Sequence, residues 1–210
     1  MSTGLPHPQW NNGDVDEPGA VDIDEVRGWY DARGVPWGMR VPAGARWPHG
    51  RLLFTKRLMG VTPESLVAAD DLAGVVVRPA TADDFDDVLR VDTTAFDEHP
   101  DVERPWLQLL TGHPAVTTAV AVLDGAVVAA GNVTMTSGRA GPAGYVAGIG
   151  VLPQARRRGI GAALSSWLTA RAFAGGAKLC HLHPDTDHAA GIYRRLGYVE
   201  VAGLDIYVDI

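Results

Sequence analysis

The stretch from Val151 to Leu164 constrains this chain most, because it places three successive arginines before Gly-Ile-Gly. The apolar, glycine-rich run 145–151 predicts a buried strand, and apolar residues recur at helical spacing from Ile160 to Phe173. A strand, a tight turn and a helix therefore follow one another directly. Such a turn directs several backbone N–H groups and the positive end of a helix dipole at one point, which suits a phosphate or pyrophosphate.

Two glycines and the arginines support this interpretation of the turn. Gly159 and Gly161 carry no Cβ, so a bulky ligand can approach the main chain closely. The arginines 156–158 add positive charge at the rim. Several nucleotide cofactors fit such a site. Because the turn follows a meander strand and not the first strand of a parallel unit, the sequence argues against a dinucleotide-binding fold.

Composition excludes several classes of protein. An apolar share of 46% is enough for a normal core, and a net charge of −7 disfavours nonspecific nucleic-acid binding. The single cysteine, Cys180, excludes an internal disulfide framework and fits a reducing compartment. Residues 1–12 lack the pattern of a secretory signal, and no run is long enough to cross a bilayer. We therefore expect a cytoplasmic protein that binds neither nucleic acid nor membrane.

The part of the chain from residue 73 to residue 210 has the clearer pattern. From Val75 it predicts the order β, α, α, β, β, β, α, β, α, β, β. Apolar runs on both sides of Asp124-Gly125 are a strong hairpin signal. We expect a loop over 97–105 before the second helix, and two short strands around Ala202-Gly203 at the end. A meander that feeds a helical crossover predicts an α/β (α+β) fold, a mixed central sheet with helices on both faces.

Residues 1–72 have a different composition, with prolines and glycines scattered among four of the six tryptophans: Trp10, Trp29, Trp37 and Trp47. The pattern predicts a short helix over 22–33, a strand over 35–41 and another short helix that starts at Thr62-Pro63. These elements are too few for an independent core. We expect an N-terminal extension packed on the main domain, or a partial half-domain.

Two motifs in the second part resemble the GNAT superfamily of acyl-CoA-dependent N-acetyltransferases. The family's cofactor signature, Arg/Gln-x-x-Gly-x-Gly/Ala, is present as residues 156–161, after the usual strand that ends in Val-x-Pro at 151–153. The family's second motif, Leu/Ile-Tyr-x-x-x-Gly-Phe/Tyr, is present as residues 192–198. Either motif alone is weak, and together they are specific. The element order from Val75 is also similar to the GNAT acyl-CoA N-acyltransferase fold.

A softer resemblance concerns the N-terminal part. The run 28–37 is similar to the N-terminal half-domain of some actinobacterial-looking members, which resembles a degenerate second copy of the fold. Such a copy would be incomplete here, because no Arg-x-x-Gly-x-Gly occurs before residue 150.

The resemblance implies acetyl-CoA as cosubstrate, bound along the strand that ends at Val151, where it splays from the next strand near Lys178. Backbone N–H groups of residues 157–162 would hold the pyrophosphate. The implied cofactor-binding residues are Ile149, Gly150, Val151, Arg156, Arg157, Arg158, Gly159, Ile160, Gly161, Ala162 and Tyr193. No metal is expected: His181 and His183 with Asp185 could coordinate zinc in principle, but the resemblance already explains that strand.

The resemblance also implies a general acid. Tyr193 matches the family tyrosine that protonates the departing CoA thiolate, a step that suits a phenol close to the sulfur. A packing role is the alternative, since Ala189 and Ile192 share the predicted helix face with Tyr193.

The general base is less defined, because no Asp or Glu occurs from Thr134 to Pro184, where many family members carry a Glu. His181 and His183 share one strand face and are sensible bases near neutral pH. A hydrogen-bonded structural role explains these histidines equally. Four residues after the first helix could line the acceptor side or simply be solvated: Asp97, Glu98, His99 and Asp101.

The sequence therefore predicts an N-acetyltransferase that moves acetyl from acetyl-CoA to a primary amine by direct attack in a ternary complex. The acceptor is a small molecule or a protein amine, and the enzyme is a monomer or a homodimer. The alternative is a catalytically weak acyl-CoA-binding sensor or partner module. The missing strand carboxylate favours that alternative, and Tyr193 opposes it.

Overall fold

The computed structural model describes Gly4, residues 11–138 and residues 140–210. Trp10 and the other residues on which the secretion argument depends lie largely outside this range. The chain divides into two compact units, one of Met1–Leu58 with Glu200–Ile210 and one of Met59–Val199. The division at residue 72, predicted from composition and resemblance, concerns the identity of the domains and stays a prediction.

The larger unit contains most of the regular elements. They are the end of β3 (Arg51–Val61), β4 (Val75–Pro79), α2 (Phe85–Phe96), α3 (Pro100–Thr111), β5 (Val116–Leu123), β6 (Ala126–Gly138), β7 (Gly141–Val151), α4 (Ile160–Ala174), β8 (Leu179–Leu182) and α5 (Asp187–Arg195). Its strands lie in the order β3, β8, β7, β6, β5, β4. Strands β4 to β7 form an antiparallel meander, and β8 lies parallel to β7 and antiparallel to β3.

Helices cover both faces of this sheet. Helix α4 buries Leu164 and Leu168 completely against one face, in a core that also includes Val133 and Val146. Helices α2 and α3 cover the other face, where their residues pack in a second core with Val120 and other strand residues. The mixed sheet with helices on both faces confirms the predicted fold class, and the Asp124-Gly125 hairpin is also confirmed.

Two irregularities of β7 shape the middle of the sheet. The pairing of β7 with β8 covers only Ala143–Tyr145 against Leu179–His181, although β7 continues to Val151, so the two strands part after Tyr145. The register of β7 with β6 shifts between Ala130 and Asn132, opposite Gly148, which has a φ of +61°. A bulge of this kind re-aims the residues that follow it. A Cβ at Gly150 would lie 3.0 Å from that of Ala95 in α2.

The smaller unit contains β1 (Asn12–Asp14), α1 (Ile23–Asp31), β2 (Gly38–Pro42), the first part of β3 and most of β9 (Val199–Val208). Strand β2 is parallel to β1 and antiparallel to β9. Met39, Val41 and Trp47 are buried in its core. The buried Asp205 carboxylate accepts hydrogen bonds from the Gly44 N–H and the Thr55 hydroxyl, which position it within the unit.

Four local predictions were wrong, each for a physical reason. Strand β3 was missed because its first five residues are exposed, so its sequence has no alternation of buried and exposed positions. Thr62 is followed by a single hydrogen-bonded turn and not by a helix, and farther on the Ala69 N–H donates to Ser166 Oγ. Helix α3 starts already at Pro100, because His99 Nδ1 caps the Asp101 N–H.

The last of these errors concerns β9, which is one strand and not two. Gly203 was interpreted as a turn residue. A Cβ at this position would lie 2.2 Å from the Lys56 carbonyl oxygen, so the glycine permits close approach of two backbones inside a continuous strand.

Candidate active site

The turn between β7 and α4 has the backbone geometry of an anion cradle. Arg157 and Gly159 adopt left-handed conformations, with φ of +64° and +81°. Gly159 is the N-cap of α4 and no side chain caps the helix. The first backbone bond of this turn runs from the Ala163 N–H to the Gly159 oxygen, so the N–H groups of residues 160–162 have no acceptor within the helix. These donors point at one region in front of the helix.

Gly159 and Gly161 differ in how well each position would tolerate a side chain. At Gly159 the left-handed φ disfavours any other residue, and a Cβ would lie 3.4 Å from the Leu72 side chain. At Gly161 the nearest atom to a Cβ would be Val151 Cγ2 at 3.5 Å, which is ordinary contact. Alanine therefore fits at position 161 without displacing its neighbours.

The three arginines are exposed, but they are not equivalent. Arg156 Nε donates to the Val151 carbonyl at 2.9 Å and so closes the turn. Arg157 and Arg158 form no ion pair with any residue in the described part of the chain. The side chain of Ile160 is only 1% exposed, so a ligand could reach this residue through its backbone N–H alone.

Tyr193 lies close to the start of α4. Helix α5 is capped by Thr186, whose hydroxyl accepts from the Ala189 N–H, and Asp187 follows as its first residue instead of capping it. Burial raises the pKa of Tyr193 to about 12, while a hydrogen bond with Ser165 opposes this increase. Ser165 Oγ in turn donates to the Gly161 oxygen at 2.8 Å. The phenol is therefore protonated at neutral pH and lies near the cofactor turn.

The two predicted histidines surround Tyr145 where β7 and β8 separate. The rings of Tyr145 and His181 are stacked with centroids 5.1 Å apart, and His183 lies 5.6 Å from Tyr145. The alternation argument is confirmed, since the two histidine rings are themselves 6.2 Å apart. Cys180 points to the opposite side, where burial raises its pKa to about 12 and keeps the thiol unreactive.

Sequence reasoning missed a carboxyl pair formed by α2 and α3. The pKa of Asp92 in α2 rises to about 7, first because packing desolvates the half-buried carboxyl and then because Glu103 and Glu98 are close. Glu103 in α3 is 9% exposed, and its pKa is raised mainly by burial. Glu103 lies close enough to Asp92 for the two carboxyls to affect each other's pKa. Neither residue belongs to a recognisable motif, so only the packing of α2 on α3 reveals the pair.

The carboxyl pair faces the bulge of β7. Asp92 Oδ1 lies 3.8 Å from the point where a Cβ of Gly148 would be, and Asn132 Nδ2 lies 3.1 Å from the same point. Asn132 is 8% exposed. Two polar side chains therefore flank a position on β7 that has no side chain.

The four residues proposed to line the acceptor side have separate roles. Glu98 contributes negative charge next to Asp92. Asp97 ends α2 in a left-handed conformation, and His99 caps α3. The Asp101 side chain is 90% exposed. The structure thus brings only Glu98 to the carboxyl pair.

No group of three or more His, Cys, Asp or Glu side chains is arranged to hold a metal ion in the described residues. Over the same part of the chain, no helix has the length and apolarity needed to span a membrane.

Residues 82–198 match the family described as Acetyltransferase (GNAT) family. This region covers more than half of the chain and contains β5 to β7 of the meander, the cofactor turn and Tyr193. The chain therefore belongs to the GNAT acetyltransferase family. Among curated proteins, no sequence matches the chain significantly.

Solved structures agree with this assignment. A GCN5-related N-acetyltransferase from Kribbella flavida is 27% identical, with a TM-score of 0.70 over 94% of this chain and 80% of that one. An aminoglycoside antibiotic 6′-N-acetyltransferase from Acinetobacter haemolyticus is 19% identical, with a TM-score of 0.53 over 60% and 92% of the two chains. A predicted acetyltransferase from Clostridium acetobutylicum, solved with acetyl-CoA, is 13% identical, with a TM-score of 0.52 over 60% and 91%.

Proposed function

We propose that this protein is an N-acetyltransferase that binds acetyl-CoA at the β7–α4 turn and transfers the acetyl group to a primary amine. The main support is the uncapped start of α4, where two left-handed residues and a row of unbonded N–H groups form a cradle for a pyrophosphate. The separation of β7 from β8 directly before this turn leaves backbone of β7 for the rest of the cofactor. One structural relative was solved with acetyl-CoA, which supports the choice of this cofactor.

The chemistry follows from the groups around the separated strands. In a ternary complex the neutral amine attacks the thioester carbonyl, the C–S bond breaks, and the CoA thiolate leaves. Tyr193 would give this thiolate a proton, and the protonated state of its buried phenol at neutral pH supports this role. Tyr145, His181 and His183 would lie beside the reacting groups, where either histidine is a candidate base.

The acceptor is an amine of a small molecule or of a protein. The aminoglycoside acetyltransferase from Acinetobacter haemolyticus shares only the fold with this chain at 19% identity. It makes amino sugars reasonable members of a substrate panel, together with polyamines and lysine derivatives.

The alternative is an acyl-CoA-binding sensor or partner module. It was favoured by the absence of an acidic residue between Thr134 and Pro184. Tight binding of acetyl-CoA without thiol release in the presence of any amine of the panel would support the sensor and contradict the enzyme.

The cofactor site is tested by two substitutions at one position. Gly161→Glu places a carboxylate in front of the donors of α4 and should lower acetyl-CoA affinity by at least about 10²-fold, because like charges repel and the pyrophosphate loses its backbone contact. Gly161→Ala is the matched control, since its Cβ has room, and we expect near-normal affinity. Isothermal titration calorimetry measures both. Unchanged affinity of Gly161→Glu would refute the pyrophosphate site.

A further inference from the structure

Strand β7 has no acidic residue, yet two carboxyls reach it from the helices. Gly148 carries no side chain, so Asp92 Oδ1 approaches the backbone of β7 at this position, 3.8 Å from the point that a Cβ would take; this position is called the Gly148 gap. Glu103, which is 9% exposed, is the acidic neighbour of Asp92 from α3. The two helices thus bring carboxyls to the strand on the face that also carries Tyr145 and His181.

The carboxyl pair lacks a cation of its own. The arginines of α2 and α3 bind other acids, since Arg90 pairs with Asp87 and Arg104 pairs with Asp86. No ion pair of the described residues includes Asp92, Glu98 or Glu103. Buried carboxyls normally have a positive partner, so this site is electrostatically incomplete.

Asn132 indicates where a ligand would lie. Asn132 is 8% exposed, and its side chain forms no hydrogen bond with the described residues. Its Nδ2 atom lies 3.1 Å from the point that a Cβ of Gly148 would take, which is closer than ordinary contact, so Asn132 and Asp92 approach the same position of β7 and a ligand would lie beside it. A buried amide with unused hydrogen-bonding capacity is costly unless a ligand or water completes it. A polar group beside Gly148 would contact both side chains.

We propose that the carboxyl pair of Asp92 and Glu103 binds the acceptor amine as its ammonium ion at the Gly148 gap and takes up its proton. This inference rests on the proposed function and adds a base and a substrate class to it: amines that are cationic at neutral pH. No hydrogen bond with the described residues fixes the orientation of the Asn132 amide, so a half-turn of the amide would exchange its Nδ2 and Oδ1 atoms, and the oxygen could then accept from the ammonium.

The proton transfer balances within the reaction. An N–H bond of the ammonium breaks, the proton goes to the carboxyl pair, and the nitrogen lone pair becomes available. The neutral amine attacks the thioester carbonyl and the C–S bond breaks, with the thiolate protonated by Tyr193. The nitrogen loses its second proton to water, and the phenol and the carboxyl pair return to their starting states by exchange with solvent. No oxidant or further reactant is required.

The test compares three cationic amines (spermidine, cadaverine and Nα-acetyl-lysine amide) with aniline, which is uncharged at pH 7.5. Free-thiol release from acetyl-CoA gives kcat and KM, and calorimetry gives the affinity of spermidine for the CoA-loaded protein. We expect the cationic amines to be the better acceptors. Asp92→Asn should lower their kcat/KM by about 10²-fold or more, the usual contribution of a general base. Acetyl-CoA affinity should not change.

Two further variants distinguish a shared proton from a general loss of structure. Because the two carboxyls act as one unit, Glu103→Gln and the double variant should cost about as much as Asp92→Asn alone, without additivity. The matched control is Asp83→Asn, which removes the same charge from an exposed position before α2 and should change kcat/KM by less than about twofold.

The outcomes separate this inference from the proposed function. Failure of the wild type to bind acetyl-CoA would refute the function. If acetyl-CoA binds, the inference is overturned by equal kcat/KM of Asp92→Asn and wild type, by preference for aniline, or by the absence of binding and turnover with all three cationic amines. Additive losses of kcat/KM in the double variant would contradict the proposal that the two carboxyls share one proton.

Discussion

The two faces of the larger unit's sheet carry groups of opposite electrostatic character near strand β7. On the face covered by α4, unbonded N–H groups and the exposed Arg157 and Arg158 surround the end of β7. On the face covered by α2 and α3, Asp92 approaches the same strand at Gly148, with Glu103 as its acidic neighbour. One strand thus presents an anion cradle at its end and a carboxyl pair three residues earlier. The difference suggests how an anionic cofactor and a cationic acceptor would be kept apart until their reacting ends meet.

Two aspartates near α2 show the same difference on a smaller scale. Asp84 is 7% exposed and accepts from both terminal nitrogens of Arg78, at 2.7 and 2.8 Å, and from Thr81. The Arg78 guanidinium holds the pKa of Asp84 well below its usual range. Asp92 has acidic neighbours instead, and its pKa is raised. A satisfied carboxylate stabilises the fold, whereas an unsatisfied one is available to a ligand.

The largest effect after loss of the cofactor site is expected for Tyr193→Phe. Removal of the phenolic proton should lower kcat by about 10²-fold, while acetyl-CoA affinity changes little because the ring remains packed against α4. Steady-state thiol release and calorimetry measure the two quantities. An unaffected kcat would reduce Tyr193 to a packing residue, the role that its helix face also permits.

The next effect concerns the free energy of unfolding, which should fall when Asp84 is replaced and rise when Asp92 is replaced. Asp84→Asn should lower the free energy of unfolding at pH 7 by about 2–4 kcal/mol, because Arg78 loses a buried partner. Its folded pKa is depressed, so its contribution is present above about pH 4 and is lost as the pH falls below that value.

Asp92→Asn should raise the free energy of unfolding at pH 8, by about 1–3 kcal/mol. The folded pKa of about 7 lies above the unfolded value, so the contribution of Asp92 is favourable below about pH 4 and is lost as the pH rises through 7. Denaturant unfolding at pH 5 and pH 8 measures both variants. A destabilised Asp92→Asn protein at pH 8 would show that this carboxylate is structurally satisfied.

The smallest effect is expected at the rim of the cofactor turn. Arg157→Ala and Arg158→Ala should each weaken acetyl-CoA binding only about twofold to tenfold, because exposed charges are screened. The loss should diminish further in 0.5 M salt. A loss as large as that of Gly161→Glu would mean that side chains, not backbone donors, hold the pyrophosphate. It would also mean that the exposed arginines contribute as much to binding as the backbone donors of the turn.

The cofactor turn could be predicted from the sequence and the carboxyl pair could not, for a physical reason. The cofactor turn is formed by consecutive residues, so Gly159, Gly161 and the following helix are legible as a local pattern. The carboxyl pair joins Asp92 and Glu103 across two helices, and a loop was predicted where the second of these helices begins. The gap at Gly148 depends on a bulge that only the pairing of β6 with β7 reveals. The sequence therefore shows that the strand lacks a carboxylate, but it does not reveal the carboxyls that α2 and α3 contribute.

Calorimetric titration of acetyl-CoA into the wild type, Gly161→Glu and Asp92→Asn, combined with thiol release by the same three proteins, tests the central claim most directly. We predict that Gly161→Glu loses acetyl-CoA binding and Asp92→Asn keeps it, while both lose most of the turnover of cationic amines. Equal acetyl-CoA affinity in all three proteins, or loss of binding in Asp92→Asn as large as in Gly161→Glu, would contradict the assignment of cofactor and acceptor to opposite faces of the sheet.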